Sequence, residues 1–518
     1  MIYVILGQTA SGKTSLALKL AKKLSLPIIS ADAYQCYKMM QIGTDKPKAD
    51  EVEGINYYFF DEYLPDYKMS VFEFQKQGRE LIEKYLKVGK DIIVTGGTFL
   101  YIKALLFNYE FKEEKNDDNY EDLSLNEMQE LLKKKNIDVY NSIDIFNPRR
   151  VIRALRLIDN DYEEALKSTY KNNNIPIYPC LFFNIETDII TGNELIDKRV
   201  DLMFENHFTD EVKKLINDYD YNLPAFKAIG YPEVISYLKK EITLDECKNL
   251  IKIHTHQLAK KQRTFIRHQF DNVICKSKDE IYTLIENDFY RKERTRILLK
   301  NKMPKFENMR VLLVGLGGVG GITLLSLVRL GIYNLTIIDG DKIAVSNLNR
   351  QFLFDYYDIG FNKAEIAKDK ALKINPLLNI TSKSMFIKDR FELKDEKFDY
   401  IIDCIDDIKG KAELFLKAKE DNCKLIVSMG FGFHLDSTKI KIGKLKETNG
   451  HMVKAYREEL KNRGINENDI DNINTVFPLD ARMKAEKNSK TIGSLVTAPN
   501  GGGLAIVSSF IKMILSED

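Results

Sequence analysis

The chain has 518 residues, which is too long for a single hydrophobic core and predicts several structural units. Its 44% apolar and 30% charged residues exclude an intrinsically disordered protein, and its net charge of +2 points to no particular class of partner. Six cysteines are scattered without a C-x-x-C pair, which argues against a disulfide framework or a structural zinc site and indicates a reduced, cytoplasmic location.

The first predicted strand, Tyr3–Leu6, runs directly into a phosphate-binding loop. The loop fits G-x-x-x-x-G-K-[ST], in which backbone N–H groups surround an anion, the lysine adds a charge and the last hydroxyl faces Mg²⁺. We expect all eight loop residues to bind diphosphate or nucleotide: Gly7, Gln8, Thr9, Ala10, Ser11, Gly12, Lys13 and Thr14.

Further strands are predicted at Pro27–Ser30, Asp91–Thr95 and Tyr178–Asn184, alternating with helical periodicity. This alternation predicts an α/β unit with a P-loop NTPase-like parallel sheet over residues 1–287. Residues 110–145 are polar and helical in pattern, which indicates an inserted helical lobe. Asp32 follows the second strand, at the edge of the sheet where ligands of parallel α/β proteins bind.

Five motifs follow the loop in a characteristic order and spacing: Ile29–Pro47, Thr95–Tyr101, Asn147–Leu155, Lys227–Tyr231 and Leu258–Arg267. Over about residues 1–287 this set closely resembles the tRNA dimethylallyltransferase family. The resemblance implies that the loop holds dimethylallyl diphosphate and that the exocyclic amine of the adenosine 3′ to the anticodon is prenylated.

The same resemblance implies roles for individual residues. Asp32 would be the general base, while Lys13, Arg199 and Thr14 with Mg²⁺ would stabilise the departing diphosphate. The anticodon stem-loop of tRNA would be bound by Asp32, Ala33, Tyr34, Gln35, Thr98, Arg149, Arg150, Arg153, Lys227, Gly230, Tyr231, Lys260, Lys261 and Arg267.

Three features depart from the family pattern. Gln8 stands where the loop usually has proline, Lys227 replaces an arginine, and the lobe at 110–145 is short. They leave the expected chemistry intact and bear on how strongly, and to which tRNAs, the protein binds.

The second half, residues 288–518, opens on the strand Val311–Val314 and the glycine loop Gly315–Gly320. With Asp339 about 20 positions later, these form the nucleotide-binding βαβ fingerprint and predict a Rossmann-like domain. The 18 uncharged residues Val311–Val328 are also long enough for a membrane helix. Five glycines and the fingerprint spacing favour a strand, a turn and a helix, so we expect no membrane partner.

The segments Thr336–Gln351, Ile359–Glu365 and Ile402–Asp406 resemble the ubiquitin-activating, ThiF-type superfamily of adenylating enzymes. That resemblance implies ATP as a co-substrate and Asp406 as a Mg²⁺ ligand. The residues implied to bind ATP are Gly315, Gly317, Gly320, Asp339, Asp341, Asn347, Arg350, Lys363, Asp406 and Arg294.

Within the superfamily, Arg294–Leu299, Lys446–Gly464 and the Gly493 motif most resemble tRNA threonylcarbamoyladenosine dehydratase. This family activates a carboxylate with ATP and cyclises it, works as a homodimer, and donates the arginine matching Arg294 to the neighbouring subunit. Val476–Asp480 departs from the family's serine- and glutamate-containing segment.

We therefore predict a bifunctional cytoplasmic tRNA-modifying enzyme that forms a homodimer through its second half. One alternative is an active prenyltransferase whose second half is a non-catalytic dimerisation or anticodon-binding module. Another is a small-molecule kinase fused to a dehydrogenase.

Overall fold

The computed structural model describes residues 1–109, 120–159, 175–483 and 492–516. The chain divides into two compact units, Met1–Glu286 and Asn287–Asp518. The boundary falls within the helix Lys278–Arg291, and no glycine- or proline-rich linker precedes it.

The first unit is built on a six-stranded sheet in which every pairing is parallel, with strand order β3-β2-β4-β1-β5-β6. The central strand β1 is an apolar run whose five residues are all buried, as expected for a parallel sheet covered on both faces. The strands are β1 Ile2–Leu6, β2 Ile28–Ser30, β3 Tyr57–Tyr58, β4 Ile92–Thr95, β5 Cys180–Ile185 and β6 Ile274–Lys276. The predicted parallel α/β class is confirmed, while β3 and β6 are too short to show a sequence pattern.

The helices of the first unit are α1 Lys13–Leu24, α2 Ala49–Val52, α3 Val71–Leu86, α4 Phe99–Leu106, α5 Leu125–Lys135, α6 Ile137–Ser142, α7 Pro148–Asp159, α8 Ile189–Glu205, α9 Phe208–Asp218, α10 Tyr231–Leu238, α11 Leu244–Gln269 and α12 Lys278–Arg291. Three of them, α5, α6 and α7, enclose a small hydrophobic core of their own. This core extends to Leu157, beyond the end predicted for the lobe at 145. Residues 110–119 of the predicted lobe lie outside the described residues.

The second unit has a seven-stranded sheet in the order β12-β13-β11-β10-β7-β8-β9, parallel except where β12 pairs antiparallel with β13. The strands are β7 Arg310–Val314, β8 Asn334–Ile338, β9 Asn379–Lys383, β10 Tyr400–Asp403, β11 Lys424–Ser428, β12 Ile440–Lys444 and β13 Asn474–Pro478. Its helices are α13 Glu293–Leu299, α14 Met303–Asn308, α15 Gly318–Leu330, α16 Lys363–Ile374, α17 Ile408–Glu420, α18 His451–Asn462, α19 Glu467–Asp471 and α20 Thr497–Leu515.

Two apolar stretches of the second unit have the length of a membrane span. The run Val311–Val328 divides into β7, a glycine turn and α15, as predicted. Helix α20 is long and apolar enough to cross a membrane, but 56% of its apolar stretch is buried inside the protein. Its buried residues, including Ile506 and Phe510, belong to the core under the sheet, which is typical of a central helix in an α/β protein.

Candidate active sites

The first candidate site is the loop between β1 and α1. Gly7 and Gly12 have φ angles of +155° and +83°, which favour glycine. A Cβ atom on Gly7 would lie 2.5 Å from the Ser11 hydroxyl oxygen. Both glycines of the motif are therefore required by the backbone, and they curl the loop around the start of α1.

Lys13, the first residue of α1, folds back into this loop, where its ammonium group donates to the Gln8 carbonyl oxygen at 2.9 Å. Burial lowers the pKa of Lys13 to about 8; Arg199 also lowers it, while Asp32 and Asp45 oppose the shift. Among the residues that the structure describes, the Ser11 hydroxyl and the side-chain amide nitrogen of Gln8 are buried and have no hydrogen-bond partner. A buried cation beside buried free donors fits an anionic ligand.

Helices α8 and α11 brace the loop from outside. The Arg199 guanidinium donates to the Thr9 hydroxyl at 2.9 Å and lies 3.4 Å from the Asp45 carboxylate. Gln262 accepts from the Thr9 amide at 2.7 Å and donates to the Gly97 carbonyl at 2.9 Å, which ties the loop to the turn after β4. Arg263 donates to the Gln8 side-chain oxygen.

The part that Gln262 and Arg263 play in this site was not predicted from the sequence. Both lie in the segment Leu258–Arg267, whose pattern predicts a surface for RNA. The composition of that segment signals positive charge, but it does not show which residues turn inward.

Asp32 lies beyond β2 and is held by backbone donors. Its Oδ1 atom accepts from the amides of Tyr34 and Gln35 at 3.0 and 3.2 Å, and its Oδ2 atom accepts from Gly97 at 3.3 Å. It is near enough to Lys13 to influence the pKa of that group. A fixed, half-exposed carboxylate thus stands beside the anion loop.

The other predicted contacts near Asp32 hold the loop together. The Ala33 amide donates to the Thr98 hydroxyl at 3.0 Å. Gln35 is only 8% exposed, and its amide nitrogen donates to the Thr44 carbonyl at 3.1 Å. In this structure Gln35 acts as an internal brace rather than as an open RNA contact.

Most of the predicted basic residues are accessible. Lys260, Lys261 and Arg267 are exposed on α11, and Lys227 is exposed before α10. On α7, Arg150 is exposed and lies 3.7 Å from Asp144, while Arg153 is half-buried. The side chain of Arg149 lies outside the described part of the structure.

Tyr231 and Gly230, which the sequence predicts to contact RNA, are buried in this structure. The Tyr231 ring is fully buried, packs edge-on against Phe208 and Phe226, and its hydroxyl donates to Glu211 at 2.7 Å. Gly230 is buried as well, with φ at +106°, and precedes the first turn of α10. Both positions therefore belong to the core. The sequence motif could not show this, because a motif gives the residue types but not whether they face the core or the solvent.

The second candidate site surrounds the glycine turn between β7 and α15. Gly315 has a φ angle of +88°, and a Cβ atom on Gly320 would lie 1.7 Å from the Gly315 carbonyl oxygen. These two glycines allow the turn to close. Gly317 differs, since its φ is −71° and a Cβ there would lie 3.7 Å from its nearest neighbour, the Gln351 amide nitrogen.

A buried carboxylate at the end of β8 organises this turn. Asp339 accepts from the Leu316 amide at 2.7 Å and from the Asp341 amide at 2.9 Å. Burial raises the pKa of Asp339, although Lys363 and the two amides oppose the shift. The buried Lys363 ammonium lies 2.8 Å from the Asp341 carboxylate, so the predicted cation and both acidic residues are brought together.

One continuous cavity of about 1370 Å³ brings most of the predicted ATP residues together. It is lined by Gly315, Gly317, Asp339, Asp341, Asn347, Arg350, Lys363 and Asp406. Arg350 donates to the Ser346 carbonyl and to Asn349, both at 2.8 Å, and Asn347 accepts from the Ala344 amide. Gly320 is buried beneath the turn, and Arg294 is exposed on α13 and does not line the cavity.

Sequence comparison identifies relatives of both units. A family model described as IPP transferase matches residues 35–269, and one described as the ThiF family matches residues 290–518. A tRNA dimethylallyltransferase from Acetivibrio thermocellus is 38% identical over 289 residues, which are 54% of this chain and 92% of that protein. A tRNA dimethylallyltransferase from Acholeplasma laidlawii is 35% identical over 287 residues, 55% of this chain and 94% of that protein.

A comparison with solved structures finds proteins that are similar to part of the chain. A tRNA isopentenylpyrophosphate transferase from Bacillus halodurans is 28% identical with a TM-score of 0.43, covering 57% of this chain and 99% of that one. A tRNA N6-threonylcarbamoyladenosine dehydratase from E. coli is 27% identical with a TM-score of 0.42, covering 44% of this chain and 95% of that one.

Proposed function

Because this chain belongs to the tRNA dimethylallyltransferase family through its first half and matches the ThiF family through its second, we propose that it is a bifunctional, cytoplasmic tRNA-modifying enzyme. The first unit transfers a dimethylallyl group from dimethylallyl diphosphate to the adenosine 3′ to the anticodon. The second unit uses ATP to activate and cyclise threonylcarbamoyladenosine in tRNA. The observation that carries the proposal is the buried Lys13 cation inside a glycine loop, beside the anchored Asp32 carboxylate.

In the first reaction the exocyclic amine attacks the allylic carbon, the carbon–oxygen bond to diphosphate breaks, and the amine proton passes to Asp32. Lys13 and Arg199 stabilise the charge that grows on the departing diphosphate, where desolvated cations act strongly. The Thr14 hydroxyl is an oxygen ligand of the kind Mg²⁺ prefers, and bound Mg²⁺ would supply further charge neutralisation there. Lys260, Lys261 and Arg267 are exposed on one helix and suit contact with tRNA phosphates.

The role of Asp32 is tested with Asp32→Asn, which keeps the size of the side chain and an acceptor for the loop amides. We expect prenylation of unmodified tRNA to fall by about 10²–10⁴-fold, the range of a general base, while the Kd for dimethylallyl diphosphate is unchanged. The exposed Asp50→Asn change on α2 is the matched control. A rate within about tenfold of wild type, below that range, would show that Asp32 only holds the loop.

In the second reaction a substrate carboxylate attacks the α-phosphate of ATP, and pyrophosphate leaves. Arg350 and Lys363 line the cavity and can cancel phosphate charge, and Asp406 offers a carboxylate for Mg²⁺, which would polarise the phosphates. The ThiF match supports adenylation in general. The choice of threonylcarbamoyladenosine rests on the motifs at Arg294–Leu299 and Lys446–Gly464.

This assignment predicts that the full chain catalyses ATP–pyrophosphate exchange only when tRNA bearing threonylcarbamoyladenosine is present. Lys363→Ala removes the buried cation and should lower exchange by about 10²–10³-fold. The exposed Lys373→Ala on the same helix should leave exchange unchanged. If the wild-type chain shows no exchange, the second unit is the non-catalytic module of the alternative hypothesis.

We also propose that the second unit acts as a homodimer in which Arg294 reaches the partner's ATP. Arg294→Ala and Asp406→Ala chains should each be nearly inactive in exchange. When the two chains are mixed and exchange subunits, random pairing makes about half of the dimers mixed, and each mixed dimer has one intact site of its two. Activity should therefore recover to about a quarter of the wild-type number of sites. No recovery despite measured subunit exchange would remove Arg294 from the neighbouring site.

A further inference from the structure

A histidine–carboxylate pair lies in the cavity of the second unit, apart from the residues assigned to ATP. The Nδ1 atom of His434 is 2.9 Å from the Oδ1 atom of Asp480, and the two side chains are 13% and 10% exposed. Both residues line the same cavity as the glycine turn and Asp406. Asp480 lies in the segment where the sequence departs from its family pattern, so that pattern predicts no role for it.

Hydrogen bonds fix the carboxylate of this pair. Its Oδ2 atom accepts from the amides of Leu435 and Asp436 at 2.9 and 3.2 Å. Burial opposes ionisation, but these two amides and His434 outweigh it and hold the pKa of Asp480 below its usual value. An ionised carboxylate only accepts hydrogen bonds, so a neutral His434 carries its proton on Nδ1 and has a free lone pair on Nε2.

The backbone before His434 is also held in place. Phe433 has a φ angle of +64°, an uncommon conformation for a residue with a side chain. Its amide donates to the Gly493 carbonyl and its carbonyl accepts from the Met483 amide, both at 2.8 Å. Two chain segments therefore fix the position from which the imidazole projects.

Two other acidic groups of the cavity are paired with lysines. Glu447 accepts from the Lys444 amide at 2.7 Å and lies 2.8 Å from the Lys441 ammonium. Asp341 is paired with Lys363. Among the described lining residues, His434 combines an imidazole with a carboxylate that sets its tautomer, which is the arrangement general-base catalysis requires.

The two steps of the proposed reaction differ in their need for a base. The attacking carboxylate of the adenylation step is already ionised at neutral pH, so no proton has to leave. In the cyclisation step the nucleophile is the carbamoyl group of the same substrate, which carries an N–H. That proton must be removed as the ring closes.

We propose that His434 is the general base of ring closure and that Asp480 is its positioning residue; this rests on the function proposed for the second unit. A carbamoyl nitrogen or oxygen forms a bond to the activated carbonyl carbon, and the N–H proton passes to Nε2 of His434. The bond between that carbon and the AMP phosphate oxygen breaks, and its electron pair leaves with AMP. No oxidant or further reactant is needed.

The test separates the two steps in the full chain, with tRNA bearing threonylcarbamoyladenosine as the probe. His434→Asn keeps a donor toward Asp480 but has no basic nitrogen. We expect ATP–pyrophosphate exchange within about twofold of wild type, while single-turnover formation of the cyclic nucleoside falls about 10²–10⁴-fold. Asp480→Asn should also slow ring closure selectively, because an amide donor facing Nδ1 imposes the other tautomer.

A second variant keeps the inference testable if asparagine disturbs the cavity. His434→Ala should be slow in ring closure and should recover at least tenfold when free imidazole is added, which a purely structural histidine would not show. Equal losses in exchange and ring closure, or no loss in either, would overturn the role of His434. A wild-type chain that performs neither step would instead overturn the proposed function of the second unit, and the role of His434 with it.

Discussion

The two glycine loops of this chain place their cations differently. In the first unit Lys13 belongs to the loop and is buried within it, donating to the Gln8 carbonyl. In the second unit the glycine turn itself has no cation, and Arg350 and Lys363 come from later segments that line the same cavity. The residue that organises the second turn is a buried carboxylate, Asp339.

This difference matches the chemistry proposed for each site. In prenyl transfer the charge grows on the diphosphate held at the loop, where the buried Lys13 acts together with Arg199. In adenylation pyrophosphate also leaves, but the attack falls on the α-phosphate of a triphosphate, so cations from separate segments suit the longer phosphate chain. Each site should therefore depend on its own cations, and substitutions in one unit should leave the reaction of the other unit intact.

The largest effect is expected from Gly320→Ala in the second unit. The new Cβ would lie 1.7 Å from the Gly315 carbonyl oxygen, so we expect a destabilisation above the ~1–3 kcal/mol typical of overpacking. Thermal unfolding of the purified chain would measure it. Gly317→Ala is the matched control: it should leave stability within about 0.5 kcal/mol of wild type but weaken ATP binding, because this position faces the phosphates. Equal free energies of unfolding for the two variants would contradict the close contact between Gly320 and the Gly315 carbonyl.

The next largest effect concerns Lys13. Lys13→Ala should lower prenylation by about 10²–10³-fold and also weaken dimethylallyl diphosphate binding, because the cation acts on the bound and the departing diphosphate. ATP–pyrophosphate exchange by the same chain should not change. If exchange falls in parallel with prenylation, the two sites are not independent.

A pH dependence follows from the pKa of Lys13, which burial lowers to about 8. Below that pH the ammonium is charged and diphosphate binds fully; above it, each binding event must first take up a proton. We expect the affinity for dimethylallyl diphosphate to fall by up to about tenfold per pH unit above 8. Calorimetry at pH 8 should record the uptake of about half a proton for each diphosphate bound. Lys13→Arg stays charged throughout this range, so persistence of the dependence in that variant would assign it to another group.

The smallest effect is expected on the basic surface of α11. Replacing Lys260, Lys261 and Arg267 by alanine should reduce the log–log salt slope of tRNA binding by roughly 0.7–0.9 for each phosphate that the variant no longer binds. A triple alanine variant of the exposed residues Lys84, Lys87 and Lys213 is a control of equal charge. The same slope in wild type and in the α11 variant would exclude this surface from the RNA interface.

The sequence was sufficient to predict what depends on local pattern. The α/β class of both units, both glycine loops and the strand–turn–helix division of Val311–Val328 follow from apolar runs next to glycine motifs. The burial of Tyr231 could not be predicted, because a motif does not specify which way a side chain points. The Gln262–Thr9 hydrogen bond joins residues 253 positions apart, and the His434–Asp480 pair joins residues 46 apart. Such contacts depend on how the chain folds back, which no local spacing reveals.

The central claim is that one chain carries out two separate tRNA modifications. It is tested most directly by incubating wild type, Lys13→Ala and Lys363→Ala with unmodified tRNA plus dimethylallyl diphosphate, or with threonylcarbamoyladenosine-bearing tRNA plus ATP, and identifying the nucleosides by mass spectrometry. We predict that wild type forms both the prenylated and the cyclic nucleoside, and that each variant loses only the product of its own unit. Formation of only one product by wild type, or loss of both products in either variant, would contradict the claim.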